Sequence, residues 1–467
     1  MSINVQSANL LRVRGALPLR LLLTCILVAA GVTQSDSAVP SPTASVPSGI
    51  DPASLAASET DEAEPASSED TATSSLDSLL AAALRDNPRI LAAEATWRAA
   101  QERIPQAGAL PDPTLSLMAQ GAPLDRPSPT EADMIRIGLM QMFPFPGKQG
   151  LMQKSMSAEA EMAREQLARA RLEVAAELTK AYYDLHLLYA SVDLMGESQA
   201  TLRSMAEIAR TKYEVGRAMQ QDLLKANVEL AVETSQLVIL EQRIPAAETR
   251  VNSLLDRPAQ QPVGRPALGD TALAPTNLAA LQERALEAQP MLRMRERAVE
   301  RSQHGVSLAR KTGLPDFTLG GEYMAAKEMP DEWMWSLAIT LPVWRGNKVA
   351  PARREAEQAL ASAQAEQRAA ENEVGLMVRD AWTMVTNART LVNLYRASVL
   401  PQAEQALAST RAAYETDRAG FLDLLDAQRS LLRARLEYET AITDYLKSRA
   451  DLGLAVGDPA LLRINHE

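Results

Sequence analysis

The side chains of this chain that could do chemistry are carboxylates at matched positions. Asp222 stands in Tyr213-Glu-Val-Gly-Arg-Ala-Met-Gln-Gln-Asp222-Leu-Leu-Lys-Ala226. Asp423 and Asp426 stand in Tyr414-Glu-Thr-Asp-Arg-Ala-Gly-Phe-Leu-Asp423-Leu-Leu-Asp-Ala427. At a spacing of i, i+3, Asp423 and Asp426 share one face of a helix. A carboxylate in the first turn complements the helix dipole, so the chemistry on offer is electrostatic. Bond-making chemistry lacks comparable support. His186, His304 and His466 are the only histidines, and no two lie within a helical turn. Cys25 is the single cysteine, which leaves neither a disulfide framework nor a thiolate metal cage. The sequence has no His-x-x-x-His and no phosphate-cradling G-x-x-x-x-G-K-[S/T] loop, and nothing sets a nucleophile beside a base. Gly320-Gly321 falls in a strand pattern with no helix after it. Neither an enzyme, a resident metal nor a cofactor is expected.

The elements that position these carboxylates come in duplicate, roughly 200 residues apart. Besides the two tyrosine-led segments, Ala83-Leu-Arg-Asp-Asn-Pro88 returns as Ala285-Leu-Glu-Ala-Gln-Pro290, and Pro111-Asp-Pro-Thr-Leu115 as Pro315-Asp-Phe-Thr-Leu319. Phe143-Pro-Phe-Pro-Gly147 returns as Leu341-Pro-Val-Trp-Arg-Gly346. Each half reads helix, two strands, long helix, turn, long helix. Neither Gly nor Pro interrupts the stretch between Gly150 and Gly196, and only Gly375 lies between Pro351 and Pro401. Helices this long imply bundle or coiled-coil packing. Leu424, Leu431, Tyr438, Tyr445 and Leu452 fall seven apart, with Ala427, Ala434, Ala441 and Ala455 on the complementary seam. The first half echoes them with Leu223, Leu230, Leu237 and Ile244 beside Ala226, Leu240 and Ala247. A second stripe through Leu422, Leu425, Leu432, Leu436, Ile442 and Leu446 gives the last helix neighbours on both sides.

Composition agrees. The net charge of −11 argues against a nucleic-acid partner, and 46% hydrophobic with only 4% aromatic residues favours close-packed helices. Arg12, Arg14 and Arg20 precede an apolar run from Leu21 to Val32, which reads as a secretory signal over 1–33. Leu22-Leu-Thr-Cys25 is a poor lipidation site. Residues 34–75 are rich in Ser, Ala, Pro and acids and read as a disordered leader. The first repeat is expected over 76–275, the second over 276–457, and a tail over 458–467.

Four short segments break the helical pattern. Trp333, Trp335, Leu337, Ile339, Leu341 and Val343 alternate with smaller or polar residues, as do Ile135, Ile137, Leu139 and Phe143. Phe317, Leu319 and Tyr323 alternate likewise, and so do Leu115 and Leu117. Aromatics gather at the ends, with Trp333, Trp335 and Tyr323 near one and Phe143, Phe145, Phe317 and Trp344 near the other. This is the pattern of an outer-membrane β-barrel with aromatic girdles, and it turns Arg136 and Glu322 to the lumen. Four strands cannot close such a barrel, and open edges in lipid cost several kcal/mol per unpaired group. The chain must therefore oligomerise; a trimer, with twelve strands, is the smallest assembly that leaves a passage.

From about residue 76 to 457, the duplication, the strand pairs and the Tyr-x-Val-Gly…Asp-Leu-Leu-x-Ala turn resemble the TolC-like outer-membrane efflux channels. The resemblance implies a mainly α homotrimer whose transmembrane β-barrel continues as a long periplasmic α-helical barrel. It implies a periplasmic adaptor (a membrane fusion protein) and an inner-membrane efflux pump as partners, in the outer membrane of a Gram-negative bacterium. By position, Asp423 and Asp426 match ring carboxylates at the closed tip, which attract cations. Asp222 and Tyr414 match locking positions. The family's lock arginine falls on Ala419, with Arg418 one residue earlier, and Asp417 replaces the turn glycine kept as Gly216. The tips, Val215, Gly216, Arg217, Ala218 and Met219, and Asp417, Arg418, Ala419, Gly420 and Phe421, are the expected adaptor contacts. Phe143-Pro-Phe-Pro-Gly-Lys148 resembles members that serve heavy-metal cation pumps; drugs, other small molecules or a secreted polypeptide are the alternative cargoes. Met134, Met140, Met142, Met152, Met156 and Met162 cluster nearby, where gap-filling core is the expected role. A soluble periplasmic coiled-coil scaffold is the competing class, and it leaves the aromatic-capped strands unexplained.

Overall fold

The two halves follow the same order of elements in the computed structural model, which describes residues 75–121, 132–268, 277–327 and 329–462. The expected signal and almost all of the leader lie outside these residues. The first half runs α1 (Leu76–Asp86), α2 (Pro88–Gly108), β1 (Thr114–Gln120), β2 (Met134–Phe143), α3 (Lys148–Glu214) and α4 (Gln220–Leu254). The second runs α5 (Leu278–Ala288), α6 (Pro290–Lys311), β3 (Asp316–Ala326), β4 (Glu332–Thr340), α7 (Ala350–Leu394), α8 (Leu400–Glu415) and α9 (Phe421–Val456).

At 67 residues, α3 is roughly 100 Å long. Gly150 and Gly196 are absorbed into it, and a Cβ at either would meet open space. In the second half, Pro401 does not end the helix as a breaker might. Pro401 has no N–H to give the preceding turn, and a π-helical turn at Tyr395–Val399 joins α7 to α8 just before it. The long helix is thereby kept, at the cost of a local change in winding.

A large core lies between the long helices. It gathers Val174, Leu178, Tyr182 and Leu185 of α3, Val374, Val378 and Val385 of α7, and Tyr445, Leu452 and Val456 of α9. Each such side chain contributes about 1.5–3 kcal/mol by leaving water. Along its length α3 packs on α2, α4, α6 and α9, while α7 packs on α6 and α9. Among the described residues, no helix is long and apolar enough to cross a membrane.

The duplication also shows as a repeated buried clamp. The amide of Asn87 accepts from Arg89 N–H at 2.9 Å and donates to the Leu254 carbonyl at 2.8 Å. Gln289, before Pro290, donates to the carbonyls of Leu454 and Ala455 at 3.0 and 2.9 Å. In each half a buried amide ahead of a helix-starting proline thus bonds carbonyls in the last turn of the return helix, where the helix supplies too few donors; the Leu454 carbonyl also accepts from Gly457 N–H at 3.3 Å. Replacing Gln289 by Leu leaves those carbonyls buried without that donor, at about 1–3 kcal/mol. Thermal unfolding of detergent-solubilised protein should show a lowered midpoint for Gln289→Leu, and likewise for Asn87→Leu.

Candidate functional site

Two regions carry the functional side chains: the paired turns at one end of the long helices and the four-stranded sheet. The turns obey the same backbone rule. Val215, Gly216 and Arg217 donate to Thr211, Tyr213 and Lys212 carbonyls, and Thr416, Asp417 and Arg418 donate to those of Ala412, Tyr414 and Ala413. Such helix ends need one left-handed residue. Gly216 supplies it at φ 77°, but in the second turn Asp417 adopts φ 60° with a side chain attached.

That strained aspartate is held by the other hairpin. Lys212 Nζ lies 2.6 Å from its carboxylate, and Arg217 lies 3.9 Å away. The ammonium also donates to the Tyr414 carbonyl and sits 4.3 Å from the Tyr414 ring centroid. The Lys212 hydrogen bond is the main cause holding the Asp417 carboxyl below the usual carboxylate range. Behind the turns a small core joins both hairpins: Leu202, Met205 and Ala226 with Tyr414, Phe421 and Leu424. Tyr414 is buried and meets Phe421 edge-on at 5.9 Å, and its hydroxyl has no hydrogen-bond partner. Burial, then Asp222 and Asp417, pushes that hydroxyl's pKa up.

Asp222 and Asp423 each close their own helix start, accepting from the N–H of Met219 at 3.4 Å and of Gly420 at 3.0 Å. Both roles are those of a capping carboxylate. Asp423 and Asp426 are exposed one turn apart, and Arg418 is exposed in its turn. Of the large apolar tip residues, Val215 and Met219 are exposed, at 65% and 66%, whereas Ala218 and Ala419 are half-buried and Phe421 is buried.

Sequence reasoning missed a polar layer two turns behind the tips. Arg429 of α9 forms a two-pronged ion pair with Glu229 of α4. These two residues, with Leu224, Lys225, Val228, Leu422 and Leu425, line a cleft of about 340 Å³ between the hairpins. Alongside, Ser198 donates to Glu233 at 2.9 Å and accepts from Gln428 at 3.1 Å. A signal existed: Glu233 occupies the seam position seven residues from Ala226 and seven from Leu240. Burial is the main cause raising the Glu233 pKa, and its second oxygen has no partner.

The sheet is antiparallel, in the order β1-β2-β3-β4, with β1 and β4 each paired on one side only. Its register sorts side chains cleanly. One face carries the rows Leu115–Leu139–Gly321–Trp335 and Leu117–Ile137–Tyr323–Trp333, and Phe143–Phe317–Ile339 beyond them. Tyr323 and Trp333 approach to 5.3 Å, and Trp333 stacks on Trp335 at 6.4 Å. Trp344 is 71% exposed past the end of β4. Arg136 and Glu322 lie on the opposite face. At the junction with the helices, Asp316 accepts from Phe145 N–H at 2.7 Å and from Lys148 at 2.8 Å, and Lys311 donates to the Pro146 carbonyl at 3.1 Å. The Phe143-Pro-Phe-Pro-Gly-Lys148 segment thus turns a strand into a helix and ties the first repeat to the second, with Gly147 at φ 86°.

Elsewhere the two histidines among the described residues each lie beside one acceptor. His186 Nδ1 lies 3.2 Å from the Pro266 carbonyl, and His304 lies 3.8 Å from Glu300. Among the described residues, no group of His, Cys, Asp and Glu is placed to hold a metal ion.

This geometry defines an outer-membrane channel subunit: a lipid-facing strand set carried on a long helical duct. The outer membrane efflux protein family model matches residues 79–256 and again 281–458, so the chain belongs to that family, whose members are channels rather than enzymes. The chain is 24% identical over 367 residues to the cobalt-zinc-cadmium resistance protein CzcC of Cupriavidus metallidurans, covering 78% of this chain and 85% of that one. It is 23% identical over 407 residues to the outer membrane protein TolC of Vibrio cholerae, covering 80% and 89%. The solved structure of CusC superposes with a TM-score of 0.72 at 16% identity, covering 82% of this chain and 92% of that one. The protein therefore has the fold expected of it: one subunit of a trimeric twelve-strand outer-membrane barrel, continued by an α-helical barrel in the periplasm.

Glu233 yields a test of the polar layer. With its pKa raised, the ionised carboxylate costs stability above that pKa, and the cost vanishes once pH falls below the ordinary glutamate value, about 4. Glu233→Gln should raise the unfolding midpoint at pH 7, and the gain over wild type should shrink towards zero near pH 4.

Proposed function

We propose that the protein is the passive exit duct of a tripartite efflux system, taking cargo from an inner-membrane pump through a periplasmic adaptor. The observation that carries this reading is the sheet. One face is apolar and aromatic-girdled, the other mixes charged, hydroxyl and small side chains with methionines, and both edge strands await partners from further copies. Trp333, Trp335 and Tyr323 form one girdle; Phe143, Phe145, Phe317 and Trp344 form the other. The tips at Val215–Met219 and 417–420 meet the adaptor, the first offering it exposed Val215 and Met219 and the second its charged Asp417 and Arg418, while Phe421 is turned into the core behind them.

Heavy-metal cations are the cargo this reading favours. It rests on the similarity to CzcC and on the Phe143-Pro-Phe-Pro-Gly-Lys148 corner. Deleting the gene and comparing tolerance to copper, silver, zinc, cobalt and common antibiotics tests it. Sensitisation to metals alone is expected, whereas sensitisation to antibiotics alone would assign the duct to drugs.

At the tip, threefold symmetry gathers Asp423 and Asp426 around the axis as a cation-attracting constriction. Tyr414, Asp222 and Arg418 flank it, while Lys212–Asp417 and Arg429–Glu229 tie one hairpin to the other. Asparagine is the apt replacement, because its oxygen still accepts from Gly420 N–H while the charge is gone. Asp423→Asn with Asp426→Asn should weaken cation preference in single-channel recordings. Unchanged selectivity would remove these residues from the gate.

A further inference from the structure

Each repeat turns its second strand into a helix at a proline corner, and the duplication lets the two corners be compared bond by bond. In the first, the backbone N–H of Lys148 donates to the Phe145 carbonyl at 3.0 Å; in the second, the backbone N–H of Lys348 donates to the Trp344 carbonyl at 3.0 Å. The second corner carries one more residue between aromatic and lysine, which the π-helical turn at Arg345–Val349 takes up. Lys348 is therefore the counterpart of Lys148, and Trp344 of Phe145. The segment that leads into the adjoining strand is duplicated too. Asp316 in Pro315-Asp-Phe-Thr-Leu319 is the counterpart of Asp112 in Pro111-Asp-Pro-Thr-Leu115.

The surroundings of the counterparts differ. The first corner is complete within the chain. The Lys148 ammonium donates to Asp316 at 2.8 Å and to the Leu314 carbonyl at 3.0 Å, and Phe145 N–H donates to the same carboxylate at 2.7 Å. Both charged side chains are largely buried. The second corner is half built. Lys348 and Trp344 are exposed, and neither the ammonium nor the Trp344 N–H has an acceptor among the described residues. Asp112 is exposed as well, and its carboxylate has no donor among the described residues.

Position in the sheet explains the difference. Asp316 and Lys148 adjoin β3 and β2, which are neighbours, whereas Asp112 and Lys348 adjoin β1 and β4, the two edges. Closing the barrel brings β4 of one copy against β1 of the next, a head-to-tail contact that runs round into a ring. In the pairing of β2 with β3, Met142 faces Thr318. Carried over to the counterparts, that register sets Thr340 opposite Thr114, Ile339 opposite Leu115 and Leu337 opposite Leu117, so the apolar face continues from copy to copy. We propose that Lys348 and Asp112 of the partner subunit form an inter-subunit ion pair where barrel meets helices, with Trp344 N–H donating to the same carboxylate. Every seam of the trimer then repeats the Lys148–Asp316 clamp. The proposal rests on the trimeric barrel and names the contact that secures its seams.

The test follows dissociation of the full-length, detergent-solubilised trimer into monomers at fixed temperature by native gel electrophoresis. Asp112→Asn and Lys348→Gln should each speed dissociation about ten-fold or more, because removing one partner leaves the other charge buried and unpaired. The double variant should dissociate no faster than the faster single one, the signature of a coupled pair. Arg345→Gln, at the exposed cation of the same corner, should stay near the wild-type rate. Wild-type rates in the single variants, additive effects in the double variant, or coupling of Asp112→Asn to Arg345→Gln instead would each overturn the pair. Thr114→Cys with Thr340→Cys checks the seam by itself, since oxidation should link subunits into covalent trimers. No link there would overturn the closed barrel itself, whereas a link together with wild-type dissociation rates would overturn only the ion pair.

Discussion

Lipid gives a backbone N–H or C=O nothing to bond to, and this requirement shapes the molecule at every level. The chain makes four strands and leaves β1 and β4 each with one free edge. Within hydrocarbon those edges are tolerable only when paired, because each unsatisfied group costs several kcal/mol. Closure by further copies follows from that cost. Where the strands pass into the helices, the Asp316–Lys148 ion pair joins the two repeats.

Much of this was legible in the amino-acid order. The heptad residues Leu424, Leu431, Tyr445 and Leu452 are buried as the spacing requires, and the strand alternation matches the way the register sorts side chains onto two faces. Periodicity reports which face of an element is covered. It does not report what covers it, and there the sequence fell silent. Lys212 reaching Asp417 and Arg429 reaching Glu229 join residues some 200 positions apart, chosen by helix packing that no local pattern encodes. The acidic residues at 222 and 423 illustrate the reverse. Their local role at the start of a helix was readable from position alone, and the backbone bonds they accept are the ones that position calls for.

Methionine shows where a reading by residue type goes astray. Counted along the sequence, Met134, Met140 and Met142 look like filler for a core. Register places them across the sheet from every large hydrocarbon side chain in it. Polarity scales group thioethers with leucine, yet in a barrel wall the two end up on opposite sides.

The left-handed aspartate at the second turn breaks the equivalence of the halves. Gly216 and Asp417 solve one geometric problem with different chemistry, one with a bare Cα and the other with an anion clasped by a neighbouring lysine. Six hairpins around a trimer axis would be interchangeable to anything touching their ends if the duplication were perfect. Here they alternate, so the rim presents a threefold rather than a pseudo-sixfold pattern of charge, and a visitor landing on it can tell odd positions from even.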